Sequence, residues 1–228
     1  MILPARFQVG GALLLASVVS VGLYVGGVLR GDGENYSYML WNLFLGWLPL
    51  LFIARLLSIL RHKRWSSWEG IGVSVLWLFF LPNSFYMVSD LIHLRNAPGA
   101  SVLYDAVMLL SFILTGLLLG YTSLFLFHME LRKRLRKGSV RVCLALIFLL
   151  CSFAIYLGRE LDWNSWDILF NPAGLLFDVS DRVIHPLEYL DMFGIVVPFF
   201  VLLSTFYVVC WQVARALRRH PSLSLSDL

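Results

Sequence analysis

Charge is what this sequence has least of. Asp, Glu, Lys and Arg make up 14% of its 228 residues, while 59% are hydrophobic and the mean hydropathy is +0.79. Soluble chains carry about 25% charged residues, so the balance excludes a water-soluble globular domain and makes lipid the natural solvent. Cysteine is almost as scarce. Cys143, Cys151 and Cys210 all fall in apolar stretches, which argues against a disulfide framework and against a zinc knuckle. No HExxH pattern offers a metalloprotease site. Alternating segments of about ten residues, the mark of a membrane barrel, are missing. So is any visible inverted repeat of the kind many transporters carry. The sequence pI of about 9.1 invites a nucleic-acid partner, but the cations are spread over successive connections, which speaks against one.

Long apolar runs are what the chain has instead. Each crossing needs about 20 apolar residues, and six such stretches lie at about 10–29, 38–60, 70–89, 104–127, 142–157 and 192–213. The reading is an all-α, polytopic membrane helical bundle forming one domain over residues 1–228, with an outer amphipathic connection at about 158–191. Arg6 precedes an apolar run longer than the 7–15 residues of a typical signal-peptide core, so the first stretch is read as an uncleaved helix. The fifth, Val142 to Leu157, is short; either it extends into Arg159 with the side chain snorkelling or it crosses a thinned bilayer.

Orientation follows from the basic residues. Of the 18 Lys and Arg, only Arg30, Arg95, Arg159 and Arg182 fall on one side; the other 14 lie at the termini and in the second and fourth connections. The positive-inside rule makes that richer side cytoplasmic and both termini internal. Glu69, Glu130 and Asp227 share the basic side, and the other 11 of the 14 acids lie outside. The run from Arg132 to Arg141 is a topology determinant that also suits anionic lipid headgroups at the cytoplasmic face. Asn35-Tyr36-Ser37 matches a glycosylation acceptor, but it hugs the membrane and is discounted.

Several residues carry more information. Gly22-x-x-x-Gly26 and Gly116-x-x-x-Gly120 place small residues on one helical face, for packing within the bundle or for a homo-oligomer. Pro82-Asn83 predicts a broken third helix, since proline strands a carbonyl about four residues back and Asn83 is a local partner for it. Beyond it, Asp90 and His93 stand three apart on one helical face, near the end of the span where Asp105 opens the next. The polar, aromatic stretch from Gly158 to Asp167 suits a headgroup zone, and Asn164 or Ser165 can cap a helix running towards Phe170. From Gly174 to Ile184, apolar positions set against Asp178, Asp181 and Arg182 predict a short outer interfacial helix ended by Pro186.

These motifs also resemble a known family. Trp41 to Pro49, Trp77 to Asn83 with Tyr86, Asp90-Leu91-Ile92-His93-Leu94, Tyr104-Asp105 and Gly158-Arg159 with Trp163-Asn164-Ser165-Trp166-Asp167 look like the bacterial membrane family called domain of unknown function 1361. The resemblance runs from about residue 40 to about 210 and implies a bacterial cytoplasmic (inner) membrane protein with outward polar groups. It brings no established activity. Glu160 and Asp162, where hydrophobic or basic residues are expected, stay outside any family site.

Four readings compete for the polar groups. In the first, Asn83, Asp90, His93, Asp105, Arg159 and Asp167 form a charge-compensated cluster that ties helices together. In the second, a membrane-embedded hydrolase or transferase acts on lipid or envelope material. Asp90, His93 and Asp105 are then its catalytic candidates, and Asn83, Tyr86, Arg159, Asn164 and Asp167 bind substrate. His93 and His185 with one carboxylate form a conceivable metal set in that reading, although no cofactor is specified by sequence. A small-solute or proton-coupled transporter built on the Pro82 break is the third, and an envelope scaffold docking through residues 174–184 the fourth.

Overall fold

The computed structural model describes residues 5–30, 36–96, 102–163 and 170–219, with the side chains of 5–6, 93, 95–96 and 217–219 outside that description. Its helices are α1 (Ala5–Leu29), α2 (Tyr38–Ile59), α3 (Trp68–Tyr86), a 3₁₀ helix (Met87–Asn96), α4 (Val102–Arg132), α5 (Lys137–Glu160), α6 (Pro172–Ile184) and α7 (Leu190–Arg219). No strand occurs among the described residues. Six of the helices are long and apolar enough to cross a membrane.

Apolar residues run round the whole circumference of these helices. On α4, Met108, Leu109, Phe112, Ile113 and Leu119 are buried, while Leu110, Leu114 and Leu118 on the opposite stripe are exposed. A helix that is hydrophobic on every face suits lipid on one side and protein on the other. Contacts group into two compact units, Met1–Phe127 and His128–Leu228, with the boundary inside α4.

In the first unit small residues and hydroxyls cross-link the helices. The Trp47 indole donates to Ser17 Oγ at 3.0 Å, Ser20 and Thr115 hydroxyls meet at 3.1 Å, and the Trp77 indole donates to Ser123 Oγ at 2.7 Å. Ser84 Oγ donates to the Gly46 carbonyl at 2.9 Å. Such hydrogen bonds and close backbone approaches hold helices together where lipid removes the hydrophobic drive. Gly116 lies so close to α3 that an added Cβ would stand 2.5 Å from both Met87 Cε and the Ser84 carbonyl oxygen, and at Gly120 it would meet the Phe85 ring at 2.6 Å. The second glycine pair is therefore an internal packing device. In the first pair, an added Cβ at Gly26 would meet Tyr104, whereas Gly22 has nothing within 4 Å.

One expectation needs revision. The break placed at Pro82-Asn83 is not where the helix changes: α-helical backbone runs through Pro82 to Tyr86 and becomes 3₁₀ at Met87. One missing amide is tolerable within a membrane helix; Asn83 Nδ2 donates to the Phe80 carbonyl at 3.1 Å, two residues beyond the Leu78 carbonyl that Pro82 leaves without its amide. Of the two alternatives for the fifth stretch, the helix takes the extension into Arg159, reaching from Lys137 to Glu160.

In the second unit, Tyr156, Leu157, Met192 and Val196 form a core against which Leu175 and Val179 of α6 pack. Asn171 caps α6, its Oδ1 accepting from the Gly174 amide at 3.1 Å, with Pro172 opening the helix.

Candidate functional site

Two carboxylates of the first unit are almost wholly buried, Asp90 with 1% and Asp105 with 2% of its surface exposed. Asp90 sits in the 3₁₀ helix, three residues after fully buried Met87, so the three-residue period of that helix stacks both on one face. Asp105 belongs to the first turn of α4. One donor to each comes from the short stretch 36–42 that leads into α2. The Tyr36 hydroxyl donates to Asp105 Oδ2 and Asn42 Nδ2 to Asp90 Oδ2, each at 3.3 Å. Between them lies a core that includes Tyr36, Met39, Leu43, Met87 and Met108. Close by, the Tyr104 hydroxyl donates to the Leu23 carbonyl at 2.6 Å, and the Arg30 guanidinium lies 4.5 Å from the Tyr104 ring centre.

Asn83 and Tyr86, both half-buried, belong to the same unit; the carbonyl of Tyr86 accepts from Ser89 Oγ at 2.7 Å. Arg159 is half-buried in the last turn of α5, within the second unit. Asn164 and Asp167, with the cap expected at Asn164 or Ser165, lie outside the described residues, as does the side chain of His93. Among the described residues no group of three or more His, Cys, Asp or Glu is arranged to hold a metal ion.

The second unit has a polar network of its own. Arg182, expected on the wet face of a surface helix, is only 7% exposed. Its Nε donates to the Tyr156 hydroxyl at 3.4 Å, one terminal nitrogen donates to the Asp178 carbonyl at 3.0 Å, and the guanidinium stands 4.6 Å from the Tyr189 ring centre. The Trp163 indole donates to Asp178 Oδ2 at 2.8 Å. His185 Nδ1 pairs with Asp181 Oδ1 at 3.1 Å, and the Tyr189 hydroxyl donates to Asp181 Oδ2. The donation from Tyr189, aided by His185, holds the Asp181 carboxyl below its usual range, and the same bond pushes the Tyr189 phenol up. His185 therefore works with a carboxylate of its own helix end.

Tyr36, Tyr156 and Tyr189 are not among the candidate site residues read from sequence, and Asn42 enters there only within the Trp41–Pro49 motif. Asn42 and Tyr36 had a signal of a kind, since each is a polar side chain at the edge of an apolar span.

Neither the curated proteins nor the solved structures include one that matches the chain. The model of the family described as "Protein of unknown function (DUF1361)" matches residues 41–208, well over half of the sequence and inclusive of Asn42, Asp90, Asp105 and Arg182, and the chain belongs to that family.

Proposed function

We propose that the chain is a multi-pass protein of a bacterial cytoplasmic membrane, with both termini in the cytoplasm, whose outward carboxylates tie α2, the 3₁₀ helix and α4 into one fixed arrangement. The observation that carries this reading is the shared origin of the two donors: Tyr36 and Asn42, six residues apart, serve Asp105 and Asp90, which are 2% and 1% exposed. An uncompensated charge at bilayer depth costs about 2.5 kcal/mol or more; these donors lower that cost and fasten three elements at once. The division of 14 basic residues against four supports the orientation, and the bacterial setting follows the family resemblance. α6, which exposes Leu176, Phe177, Val183 and Ile184, is the outer interfacial helix in this scheme. The open surroundings of Gly22 suit pairing with a second copy.

A second reading, a hydrolase or transferase acting on lipid or envelope material, is favoured by one feature. The 3₁₀ helix is ten residues long, whereas such runs seldom exceed three or four and often mark functional hinges. Asp90, His93 and Asp105 would then handle protons, and Asn83 and Tyr86 of the same unit would position the substrate.

Asp90→Asn separates the two. The tethering reading expects a lower melting temperature of the purified protein and envelope phenotypes only in proportion to lost protein. The enzyme reading expects an envelope or lipid-turnover defect in protein that inserts and melts normally. If neither stability nor phenotype changed, both would be overturned.

A further inference from the structure

The second unit contains a pocket of about 590 Å³ that none of the outward groups uses. It is lined by the end of α4, the first half of α5 and the later part of α7. Four cations border it: Arg132, Lys137, Arg141 and Arg215. All four are exposed, and among the described residues the carboxylate at this end, Glu130, is engaged by Lys133 and Arg134 instead. Among the described residues, no carboxylate lines the pocket that these four cations border.

The rest of its lining is mostly apolar, with His128, Ser204, Tyr207 and Gln212 as its neutral polar members, and the apolar residues are ordered by depth. Leu144 and Phe148 follow Arg141 along α5, and Phe200 precedes Arg215 on α7. At about 1.5 Å of rise per residue, Phe148 lies about 10 Å and Phe200 about 22 Å from the basic end. One wall is rigid. His128 Nδ1 meets the Tyr207 hydroxyl at 2.8 Å, and the His128 ring stacks on Trp211 with centres 3.9 Å apart. The volume falls within the range of about 300–1,000 Å³ common to small-molecule sites. A cavity with cations at one end and aliphatic and aromatic side chains along its length matches a molecule with an anionic head and a hydrocarbon tail.

We propose that this pocket binds one anionic, phosphate-bearing amphiphile, with its headgroup among Arg132, Lys137, Arg141 and Arg215 and its chain along Leu144, Phe148 and Phe200. The proposal stands apart from the carboxylate reading and needs no assumption about which side of the membrane the pocket faces. It differs from general attraction to a charged bilayer in requiring a single molecule, a chain as well as a phosphate, and these particular cations.

The test uses purified full-length protein in neutral detergent, with phosphatidylglycerol, phosphatidylcholine, glycerol 3-phosphate and inorganic phosphate as separate probes. Native mass spectrometry reads bound lipid, and thermal unfolding reads stabilisation. Phosphatidylglycerol is expected to add as one molecule and to raise the melting temperature, with phosphatidylcholine and the two soluble phosphates well behind it. In Arg141→Gln with Arg215→Gln, both exposed residues, its affinity should fall roughly thirtyfold, from about a fivefold loss per near-surface cation. Arg61→Gln with Arg64→Gln removes the same charge from exposed positions outside the pocket and should leave affinity intact. Equal loss in both double variants would overturn the site in favour of diffuse electrostatics. Stabilisation by inorganic phosphate or glycerol 3-phosphate as strong as that by the lipid would overturn the chain-binding part, and equal binding of the two lipids would overturn the anionic part.

Discussion

The side-chain amide of Asn42 donates to the carboxylate of Asp90 across 3.3 Å, joining residues 48 positions apart in the chain. Side-chain hydrogen bonds in membrane bundles average only about 0.6 kcal/mol, but a hydrogen bond to a buried, charged acceptor contributes about 1–3 kcal/mol. The second figure governs here because Asp90 is 1% exposed. Asn42→Ala should therefore lower stability in detergent by about 1–3 kcal/mol, and Asn42→Asp, which sets a second carboxylate against the first, by more. Unfolding curves unchanged in both variants would show that the contact contributes nothing.

Glycine positions give an internal contrast. Gly116→Ala puts a methyl group 2.5 Å from the Ser84 carbonyl oxygen, a backbone atom that cannot step aside cheaply, so a loss of about 1–3 kcal/mol is expected, as for other overpacked sites. Gly22→Ala meets nothing within 4 Å and should leave monomer stability unchanged. Crosslinking yields in membranes then test the oligomer. A fall with Gly22→Ile, at unaltered melting temperature, is the expected result if that face pairs with another copy.

Much of this architecture was legible in the sequence, and the exceptions have identifiable physics. Continuous apolar runs gave all six long helices, because lipid-facing and core-facing positions are alike hydrophobic. Their ends were harder to read. Lys137, Arg141 and Arg159 look like boundaries by charge, yet the backbone stays helical through all three, since long cationic side chains can extend away from the hydrocarbon. Pro82 announced a disturbance but not its place, because a single missing amide does not stop an α-helix and the change of winding waits until Met87. Asp90 and Asp105 stood out as isolated acids next to apolar spans. Their donors did not, because Tyr36 and Asn42 are selected by tertiary approach over 69 and 48 residues. Arg182 was hidden by its pattern: a cation on an amphipathic helix reads as wet until Tyr156, Asp178 and Tyr189 are seen to enclose it.

The Tyr189–Asp181 hydrogen bond has a definite pH signature. Asp181 is held below its ordinary value of 3.8, so its contribution to stability is present above that value and lost as pH falls through the depressed one. Tyr189 is raised above 10.0, so its contribution is present below that value and lost as pH rises through the elevated one. Tyr189→Phe should move the Asp181 titration up towards the ordinary range with only a small change in stability, since a partly exposed hydrogen bond is weakly stabilising. Carbon-13 NMR of the Asp carboxyls would follow this, and an unmoved titration would contradict the assignment.

Sidedness is open to direct chemistry. Single cysteines at Gly138 and Gly174, each introduced after Cys143, Cys151 and Cys210 are replaced by Ala, should be labelled by an impermeant maleimide from opposite faces of the membrane. Gly138 should react only from the cytoplasmic side. Labelling of both from one side would end the six-crossing arrangement.

The switch from α to 3₁₀ winding at Met87 sets an azimuth as well as a length. An α-helix turns about 100° and rises about 1.5 Å per residue, whereas a 3₁₀ helix turns about 120° and rises about 2.0 Å. Over the three steps from Met87 to Asp90, the carboxylate lands about 60° further round and about 1.5 Å further along than a continued α-helix would carry it. Asn42 thus reads the winding of the segment as well as its sequence: rewinding these four residues as α-helix would swing Asp90 off its partner with no bond broken in the chain and no residue changed.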